Sequence, residues 1–338
     1  MEKSSCDKLK VGIVGVGNIG KRHAHHVNNI AELVAVCDID ILKVADIQMK
    51  YNCKGYTDID KFLDENDFDL VSICTPNGLH CEHTVKSLQN GNNVLCEKPM
   101  ALSSSDCEKM MSCAERHNKR LFIVKQNRFN PPIEAVKEAI DCGELGKIIS
   151  VHVSCFWNRN EQYYEQSEWR GTQELDGGTL YTQFSHFIDI LYWMIGDIEK
   201  VQGFKNNFIH DYIDFEDSGV VSLKFKNGAL GTIHYTINSH PKNIEGSITI
   251  FGTKGTVKIG GEYLNKLEYQ SFDNYVIDNL EKSSEANDYG SYKGSMSNHD
   301  KVYENIIDVL QNGSSIVTNM IQAYKVVNII ETIYRVSR

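Results

Sequence analysis

Short apolar runs alternate with amphipathic segments through the first 126 residues. Runs of this kind predict buried strands, and six of them lie at 11–16, 33–37, 55–56, 69–75, 92–96 and 121–124. Segments with helical spacing separate them, and Ser103 or Ser104 is a suitable N-cap for the helix before the sixth strand. Strands that alternate with helices predict a parallel, doubly wound sheet, whose ligand lies beyond the carboxyl ends of the strands.

The pattern changes after about Gln126. Two pairs of alternating segments predict β-hairpins, and they lie at 218–226 with 229–237 and at 248–251 with 256–259. Asn227 and Gly228 separate the first pair, which is a strong turn signal. These segments predict a large open, mostly antiparallel sheet with one face against helices and the other face free. A free face usually pairs with another subunit, so we expect a homo-oligomer, a dimer or a tetramer through this sheet.

The end of the chain is polar before it becomes helical. Segment 273–297 predicts a long loop, and apolar spacing predicts two closing helices near 299–310 and 321–336. The fold class is therefore α/β, with an N-terminal doubly wound parallel sheet and a C-terminal α+β domain. We place the domain boundary between residues 126 and 127.

The first strand ends in a glycine-rich turn with the sequence VGIVGVGNIG. The G-x-G-x-x-G spacing predicts a tight turn, then a backbone that a pyrophosphate can approach, then a closely packed helix whose N-terminus faces the phosphates. The second strand ends in Asp38, a suitable acceptor for the adenosine ribose hydroxyls, and its charge favours NAD over NADP. A glycine turn in some other α/β domain is the alternative. The predicted cofactor contacts here are Gly15, Gly17, Asn18, Ile19, Gly20 and Asp38.

Composition limits the class of partner. The chain has 338 residues, 41% of them hydrophobic, and a net charge of −10. This charge argues against a general nucleic-acid or anionic-membrane surface, because both require clustered Lys and Arg. No apolar run is long enough to cross a bilayer, and the N-terminus lacks a signal-peptide core, so we expect a cytoplasmic protein.

Cysteine and histidine usage favours neither disulfides nor a metal. The ten cysteines are scattered without a C-x-x-C pair, which is typical of reduced thiols in a cytosolic protein. Two clusters contain histidine, namely His23, His25 and His26, and His80, Cys81 and His83. Neither cluster has a recognisable set of partner ligands in the sequence, so no metal site is predicted.

Two residues are candidates for proton and charge chemistry. Lys98 follows a buried strand by two residues, where it could stabilise a developing alkoxide or could be an ordinary solvated lysine. His186 lies in an apolar segment with helical spacing that begins after Asp176-Gly177-Gly178 and places it on one face with Thr182 and Asp189. It could act as a general base or be a satisfied core histidine.

Segment 157–172 is rich in aromatic and amide side chains. Arginine is scarce in this chain, yet Arg128, Arg159 and Arg170 lie in or just before this segment. Because arginine binds carboxylate and phosphate in a bidentate manner, an anionic substrate is predicted. The alternative is a charged surface loop in which the arginines pair with Glu161, Glu165 and Glu168.

Four motifs together resemble the glucose–fructose oxidoreductase / inositol dehydrogenase (Gfo/Idh/MocA) family. They are GVGNIG, CTPNGLH after the fourth strand, CEKPM after the fifth, and DGG followed by a helix with H-x-x-D. The resemblance implies a Rossmann domain, NAD(P)-dependent oxidation of a sugar or polyol hydroxyl, Lys98 and His186 as the catalytic pair, and a cis Lys98–Pro99 bond. The remaining expected cofactor contacts are Thr75, Pro76, Asn77, His80, Glu97, Lys98 and Gln126. Residues 1–126 are then the NAD-binding domain, and residues 127–338 bind substrate and form the oligomer.

The chain departs from the family at Thr182, where many members carry an aspartate four residues before the histidine. The segments WNRNEQYY, WRGT, LDGG, TQFSHFID and SNHDKVYENII instead resemble the nucleotide-sugar branch. Within it, the UDP-N-acetylglucosaminuronate 3-dehydrogenases of O-antigen and lipopolysaccharide biosynthesis make a 3-keto sugar that a partner aminotransferase then aminates. The expected substrate contacts are Arg128, Asn158, Arg159, Tyr163, Trp169, Arg170, Thr182, Gln183, His186, Asn298 and His299.

This resemblance implies hydride transfer from C3 of the hexuronate to nicotinamide, with His186 accepting the proton and Lys98 holding the oxygen. Arg159 or Arg170 would bind the carboxylate or the pyrophosphate. Asn298 and His299 would lie at the nucleotide end, or would simply be an N-cap and a first-turn residue. Two other functions stay open: a dehydrogenase of a free sugar or cyclitol, and a non-catalytic NAD-binding sensor, because a Rossmann domain alone does not define a reaction.

Overall fold

A computed structural model describes residues 8–283, 285–288, 293–317 and 319–338. They form two compact units. The N-terminal unit comprises the chain up to Val124 together with His299–Tyr324, and the C-terminal unit comprises Lys125–Asn298 together with Lys325–Arg338. Compared with the predicted division at residue 126, one later segment, His299–Tyr324, lies with the first unit.

The N-terminal unit contains a six-stranded, wholly parallel sheet. Its strands are β1 (Lys10–Val14), β2 (Glu32–Cys37), β3 (Lys54–Tyr56), β4 (Leu70–Ile73), β5 (Asn93–Cys96) and β6 (Leu121–Ile123). Its helices are α1 (Asn18–Ile30), α2 (Ile41–Tyr51), α3 (Ile59–Asp64), α4 (His80–Gln89), α5 (Ser104–Arg116) and, later in the chain, α10 (His299–Asn312).

The strand order is β3-β2-β1-β4-β5-β6. This order confirms the predicted doubly wound sheet, in which the direction of winding reverses between β1 and β4 and leaves a crevice at their carboxyl ends. The strands are apolar along most of their length because helices cover both faces of such a sheet. The glycine turn and Asp38 follow β1 and β2 at this edge.

The C-terminal unit contains a seven-stranded sheet in the order β13-β12-β11-β7-β10-β9-β8. Its strands are β7 (Ile148–Phe156), β8 (Ile198–Asn206), β9 (Ser218–Phe225), β10 (Leu230–Thr236), β11 (Glu245–Gly252), β12 (Gly255–Gly260) and β13 (Lys266–Phe272). Its helices are α6 (Pro131–Asp141), α7 (Glu161–Tyr164), α8 (Thr179–Thr182) and α9 (Ser185–Ile195), and α11 (Met320–Val336) ends in it.

The sheet is mostly antiparallel, as predicted, and both hairpins are present. β9 pairs with β10 across a turn in which Gly228 has φ +91°, a conformation that glycine adopts without strain. β11 pairs with β12. The exception is the parallel pairing of β7 with β10, which three helices and two strands separate along the chain. A connection of this length permits a parallel pair, whereas a tight hairpin does not.

The predicted long loop at 273–297 is wrong in one respect. Two short antiparallel strands lie within it, β14 (Ala286–Asp288) and β15 (Lys293–Met296). The two closing helices, α10 and α11, are confirmed. In the described part of the chain, every helix is too short or too polar to cross a membrane.

Candidate active site

The three glycines after β1 have the distinct roles that their spacing predicts. Gly15 has φ +88°, and a Cβ on Gly20 would lie 1.9 Å from the carbonyl oxygen of Gly15, so the turn and the start of α1 are in direct backbone contact. A Cβ on Gly17, in contrast, would meet no atom of the described residues within 4 Å. The loop is therefore closed on one side at Gly20 and open at Gly17, where a phosphate group can approach the backbone.

The N-terminus of α1 is also available to an anion. Gly17 is its N-cap, and among the described residues no side chain caps it and no acidic residue lies in its first turn. The first backbone N–H groups of a helix have no partner within the helix, and the helix dipole makes this end positive. Together with the open position at Gly17, these groups fit the pyrophosphate of a dinucleotide.

The carboxylate of Asp38 is held next to this loop by two backbone hydrogen bonds. Its Oδ2 accepts from the N–H of Val16 at 2.8 Å and its Oδ1 from the N–H of Asp40 at 3.0 Å. The residue is half-buried at the end of β2. Each oxygen keeps a further lone pair, so the carboxylate fits the ribose hydroxyls of NAD and repels a 2′-phosphate.

The loops after β4 and β5 are joined by His80. Its Nδ1 lies 2.7 Å from the carbonyl oxygen of Pro99, and its Nε2 lies 2.9 Å from that of Thr75. Burial lowers the pKa of His80, while the two carbonyl acceptors act in the opposite direction. The Lys98–Pro99 peptide bond is cis, as expected. The ring of His80 thus links both loops that were predicted to border the nicotinamide, and its own contact with the cofactor stays a prediction.

Glu97 is buried, with 5% of its surface exposed, while the adjacent Lys98 is half-buried. Its Oε1 accepts a hydrogen bond from His23 Nε2 at 2.9 Å and lies 3.3 Å from His299 Nε2. Its Oε2 accepts from the backbone N–H of Lys98 at 3.0 Å. The neighbours of the carboxylate are thus two histidines and the backbone of Lys98, and its contact with the cofactor stays a prediction.

His23, Glu97 and His299 also have the composition of a metal site. Their ligand atoms lie within 4.8 Å of one another, and all three residues are buried. From the sequence, His23 has no recognisable partner ligands, because the partners lie far from it along the chain. The structure thus supplies the partner set that the sequence interpretation lacked.

In the C-terminal unit, His186 lies in the first turn of α9 and is 4% exposed. Its Nε2 lies 3.3 Å from the amide nitrogen of Gln126, which also donates to Ser295 Oγ at 3.0 Å. An amide nitrogen is only a donor, so Nε2 is the acceptor and carries the lone pair that a general base requires. The Gln126 oxygen is buried and has no hydrogen-bond partner among the described residues, so it could accept a hydrogen bond from a ligand.

A buried ion cluster holds Gln126 against α9. Asp189, one turn after His186, accepts from Nε and Nη2 of Arg128 at 2.8 and 2.7 Å, and Lys125 Nζ lies 3.1 Å from its Oδ1. The Arg128 guanidinium also lies 4.9 Å from the ring of Trp193. Burial alone would raise the pKa of Asp189, but the charges of Arg128 and Lys125 lower it to about 2. Arg128, which we expected at the substrate, thus has a second role as support for the His186 helix.

Thr182 lies beside a carboxylate after all. Its Oγ1 donates to Asp176 Oδ1, and Asp176 Oδ2 accepts from the N–H of Gly171 at 2.8 Å. The predicted single helix through this segment is wrong, because α8 ends at Thr182 and α9 begins at Ser185. The common helix face predicted for Thr182, His186 and Asp189 is therefore interrupted. The side chain of Gln183, at the break, binds Arg159 and Tyr163.

Arg159 is buried rather than part of a charged surface loop. It is 2% exposed, its Nε donates to Gln183 Oε1 at 2.6 Å, and its guanidinium carbon lies 5.2 Å from the centroid of the Tyr163 ring. The guanidinium of Arg170 lies 4.2 Å from the same ring, and its Nη1 donates to the carbonyl oxygen of Tyr163 at 2.9 Å. Two guanidinium groups therefore lie against the ring of Tyr163. Gln183, which binds both Arg159 and Tyr163, is three residues before His186 in the sequence.

The other expected substrate residues have varied surroundings. Asn158 donates to the carbonyl oxygen of Ser239 at 2.6 Å, and half-buried Trp169 lies 5.9 Å from the Arg170 guanidinium. Asn298 is buried and donates to Asn130 Oδ1 at 2.8 Å, so it anchors the segment that carries Gln126. These contacts leave their assignment to the substrate as a prediction.

A glycine loop of this shape, with the Asp38 carboxylate beside it, defines a dinucleotide-binding domain of the Rossmann type. The sequence agrees over most of its length. A model of the "Oxidoreductase family, NAD-binding Rossmann fold" matches residues 9–125, and one of the "GFO/IDH/MocA C-terminal domain" matches residues 133–258. The chain belongs to the Gfo/Idh/MocA family and is an NAD-dependent enzyme that acts on CH–OH groups.

Two solved structures are similar over almost the whole chain. The WlbA dehydrogenase of Bordetella pertussis, in complex with NADH and UDP-GlcNAcA, is 32% identical, with a TM-score of 0.87 and coverage of 97% of this chain and 96% of that chain. The WlbA dehydrogenase of Chromobacterium violaceum, with the same two ligands, is 32% identical, with a TM-score of 0.88 and coverage of 99% and 95%.

A curated relative has another activity. The 2,7-anhydro-N-acetylneuraminate hydratase of Escherichia coli is 29% identical over 256 residues, which is 74% of this chain and 67% of that protein. Proteins similar to this chain over most of its length therefore do not all share one named reaction.

Sequence reasoning missed four residues that arrange the site. Lys125 and Ser295 fix the surroundings of His186, and Asp176 supplies the carboxylate beside Thr182. Tyr303 hydrogen-bonds His23. One signal was available for the last of these, because His299 and Tyr303 are four residues apart and share a face of α10.

Proposed function

We propose that this enzyme oxidises the C3 hydroxyl of a UDP-N-acetyl-hexosaminuronic acid to the 3-keto sugar. The observation that carries the proposal is the pair of guanidinium groups of Arg159 and Arg170 around Tyr163. Such a substrate has a carboxylate and a pyrophosphate, and arginine binds both in a bidentate manner. The similarity to the two WlbA dehydrogenases over 97% and 99% of the chain supports the same substrate class.

In the proposed mechanism, the substrate hydroxyl replaces the Gln126 amide as the donor to His186 Nε2, and Nε2 then accepts the hydroxyl proton. General bases of this kind contribute about 10²–10⁴-fold to a rate. The Lys98 ammonium group binds the same oxygen and stabilises the negative charge that develops on it. Gly15, Gly17, Gly20 and Asp38 hold the dinucleotide. NAD held by these residues would supply the acceptor for the hydride of C3.

The test is a spectrophotometric assay of the purified protein with NAD. UDP-N-acetylglucosaminuronic acid should produce NADH. UDP-N-acetylglucosamine, which lacks the carboxylate, should react far more slowly, because a site built around arginines then loses its anion. Turnover of myo-inositol in place of the uronate would refute the substrate assignment and favour a free cyclitol dehydrogenase.

Variants test the two catalytic roles. Lys98→Ala and His186→Ala should each reduce kcat by about 10²-fold or more. NADH binding, followed by fluorescence, should persist in both. Lys109→Ala and His117→Ala are matched controls, because both residues are exposed on or just after α5 and should retain full activity. Unchanged turnover in either catalytic variant would exclude that residue from the mechanism.

We also infer that the enzyme is a homo-oligomer through the open face of its seven-stranded sheet. Strand register places five large exposed side chains on this face, namely Phe204, Val220, Leu230, Phe251 and Tyr269. Phe204 and Val220 are directly opposite each other and are 73% and 48% exposed. The double variant Phe204→Glu, Val220→Glu should sediment as a smaller species. An unchanged sedimentation coefficient would contradict this interface.

A cytoplasmic role in lipopolysaccharide biosynthesis fits this reaction. A 3-keto sugar nucleotide is a substrate for an aminotransferase, which would place an amine at C3. The assay couples the reaction to consumption of the 3-keto product. Addition of such an aminotransferase with its amino donor should drive NADH formation further toward completion. No additional NADH under those conditions would argue against the 3-keto product.

A further inference from the structure

Glu97 is the centre of a buried network that the proposed mechanism does not use. Its carboxylate accepts hydrogen bonds from two separate parts of the N-terminal unit, His23 of α1 and the backbone N–H of Lys98, and its Oε1 lies 3.3 Å from His299 Nε2 of α10. We propose that Glu97 is a positioning residue, which joins α1 and α10 to the backbone of Lys98 and thereby fixes where the lysine side chain begins. The inference rests on the proposed role of Lys98.

The network continues beyond the carboxylate in a defined direction. Tyr303 Oη lies 2.7 Å from His23 Nδ1 and 2.8 Å from Ser72 Oγ. Because a carboxylate only accepts, His23 Nε2 carries its hydrogen toward Glu97, and a neutral His23 then accepts from Tyr303 on Nδ1. Tyr303 in turn accepts from Ser72. Every donor and acceptor in this chain is matched, so the four side chains hold one another in a single arrangement.

The burial of the network makes this arrangement rigid. His23, Ser72, His299 and Tyr303 are each at most 1% exposed, so no water shell can replace a lost hydrogen bond. Burial alone would raise the pKa of Glu97, but the hydrogen bonds from His23 and His299 hold it well below its usual value. Both carboxylate oxygens act as acceptors, Oε1 toward His23 and Oε2 toward the backbone of Lys98. A buried polar group that loses its hydrogen-bond partner destabilises the fold. The backbone N–H of Lys98 therefore stays hydrogen-bonded to Glu97 Oε2.

This placement separates Glu97 from a cofactor contact. With 5% of the residue exposed and both oxygens accepting internal hydrogen bonds, the carboxylate faces the interior. Lys98, one residue further on, is the half-buried side chain of the pair. A change at Glu97 should consequently alter the geometry of Lys98, and thus the rate of the chemical step, while leaving the glycine loop and Asp38 to bind NAD as before.

The test is a double-mutant cycle on the full-length enzyme. Glu97→Gln keeps the shape but places an N–H group against one of the two donors, His23 Nε2 or the backbone N–H of Lys98. It should lower kcat by about 10–100-fold, the scale of an error of about 1 Å in the position of a catalytic group. NADH affinity should be unchanged. In the Lys98→Ala background, Glu97→Gln should cause no further loss, because its effect acts through Lys98. The slow rates of these variants are measured as NADH formation in a single turnover. Glu115→Gln, an exposed glutamate on α5, is the matched control.

A second pair of variants guards against simple misfolding. Glutamine can present an amide N–H where His23 presents Nε2, so His23→Gln should retain most of the activity, whereas His23→Leu should resemble Glu97→Gln. Thermal unfolding of each variant shows whether the fold is intact. Equal losses in both variants would overturn the proposal, because the hydrogen bond to Glu97 would then not matter.

Three further results would overturn the inference. Multiplicative losses of Glu97→Gln and Lys98→Ala would mean that Glu97 does not act through the lysine. Weaker NADH binding with an unchanged kcat would make Glu97 a cofactor ligand. One equivalent of tightly bound zinc or another transition metal, whose removal by a chelator abolishes activity, would make His23, Glu97 and His299 a metal centre. If Lys98→Ala itself retains full turnover, the proposed function fails instead, and the inference falls with it.

Discussion

Replacement of Glu216 by glutamine should make the stability of the enzyme less dependent on pH. The Glu216 carboxyl group is buried in the C-terminal unit just before β9. Its Oε1 accepts from the hydroxyl groups of Tyr334 at 2.8 Å and Tyr235 at 3.2 Å, and the Tyr334 oxygen accepts from the N–H of Leu180 at 2.9 Å. Burial raises the pKa of Glu216 to about 7, although the two tyrosines and the charge of Lys205 act against it.

The magnitude follows from this pKa. A rise from 4.5 to about 7 means that the folded protein binds the proton more tightly than the unfolded chain does. The stabilising contribution is complete below the unfolded pKa and is lost as the pH rises through the folded pKa. Since each pKa unit corresponds to about 1.4 kcal/mol, the whole loss is about 3 kcal/mol, and most of it falls between about pH 5 and pH 8.

The assay is urea unfolding of the parent and of Glu216→Gln across this pH range. Glutamine is always neutral and keeps an oxygen for both tyrosines, so the stability of the variant relative to the parent should rise by about 2–3 kcal/mol from pH 5 to pH 8. Glu174→Gln, an exposed position, should show no such trend. A difference between parent and Glu216→Gln that stays constant over this range would refute the raised pKa.

Three other predictions concern the cofactor loop and the support of α9. Gly20→Ala places a Cβ 1.9 Å from the Gly15 carbonyl oxygen. It should weaken NADH binding by more than about tenfold, because a loss of only ~1.4 kcal/mol of binding free energy is enough for a tenfold change. Unchanged affinity in a titration would contradict the close contact. Asp38→Ser should weaken NADH binding and improve NADPH binding, because the 2′-phosphate no longer meets a carboxylate. Equal losses of affinity for both cofactors would show that Asp38 does not select between them. Asp189→Asn leaves two buried cations without their anion and should destabilise the protein by about 3–5 kcal/mol in urea unfolding. The control is Asp141→Asn, in an exposed pair with Lys137, which should change stability by at most about 1 kcal/mol. A similar small change at both sites would disprove the supporting role of Asp189.

The fold of the N-terminal unit could be predicted because its signals are local. The turn at Gly15 and the close contact at Gly20 depend on residues five apart. The Asn227–Gly228 hairpin of the C-terminal unit was predictable for the same reason, because its turn depends on adjacent residues. In the C-terminal unit, the parallel pairing of β7 with β10 was not predicted. Strand pairing between segments 74 or more residues apart depends on how the intervening helices pack, and no local pattern encodes that packing.

The candidate site divides in the same way. Lys98 and His186 were identified from their positions next to a strand and in an apolar helix, together with the family resemblance. The role of Arg128 as the partner of Asp189 was not, because the two residues are 61 apart. An arginine near a substrate segment has the same sequence pattern whether it binds a ligand or a buried aspartate.

By itself, the sequence determined the cofactor class, the doubly wound sheet and the helices that close the chain, since backbone conformation and side-chain spacing act over a few residues. Tertiary structure alone decided that Glu97 lies beside two histidines, 74 and 202 residues away in the sequence. It also decided that Asp176 stands beside Thr182 and that Glu216 is enclosed by two tyrosines. Burial and distant neighbours set the charge and hydrogen bonding of a side chain, and packing determines both.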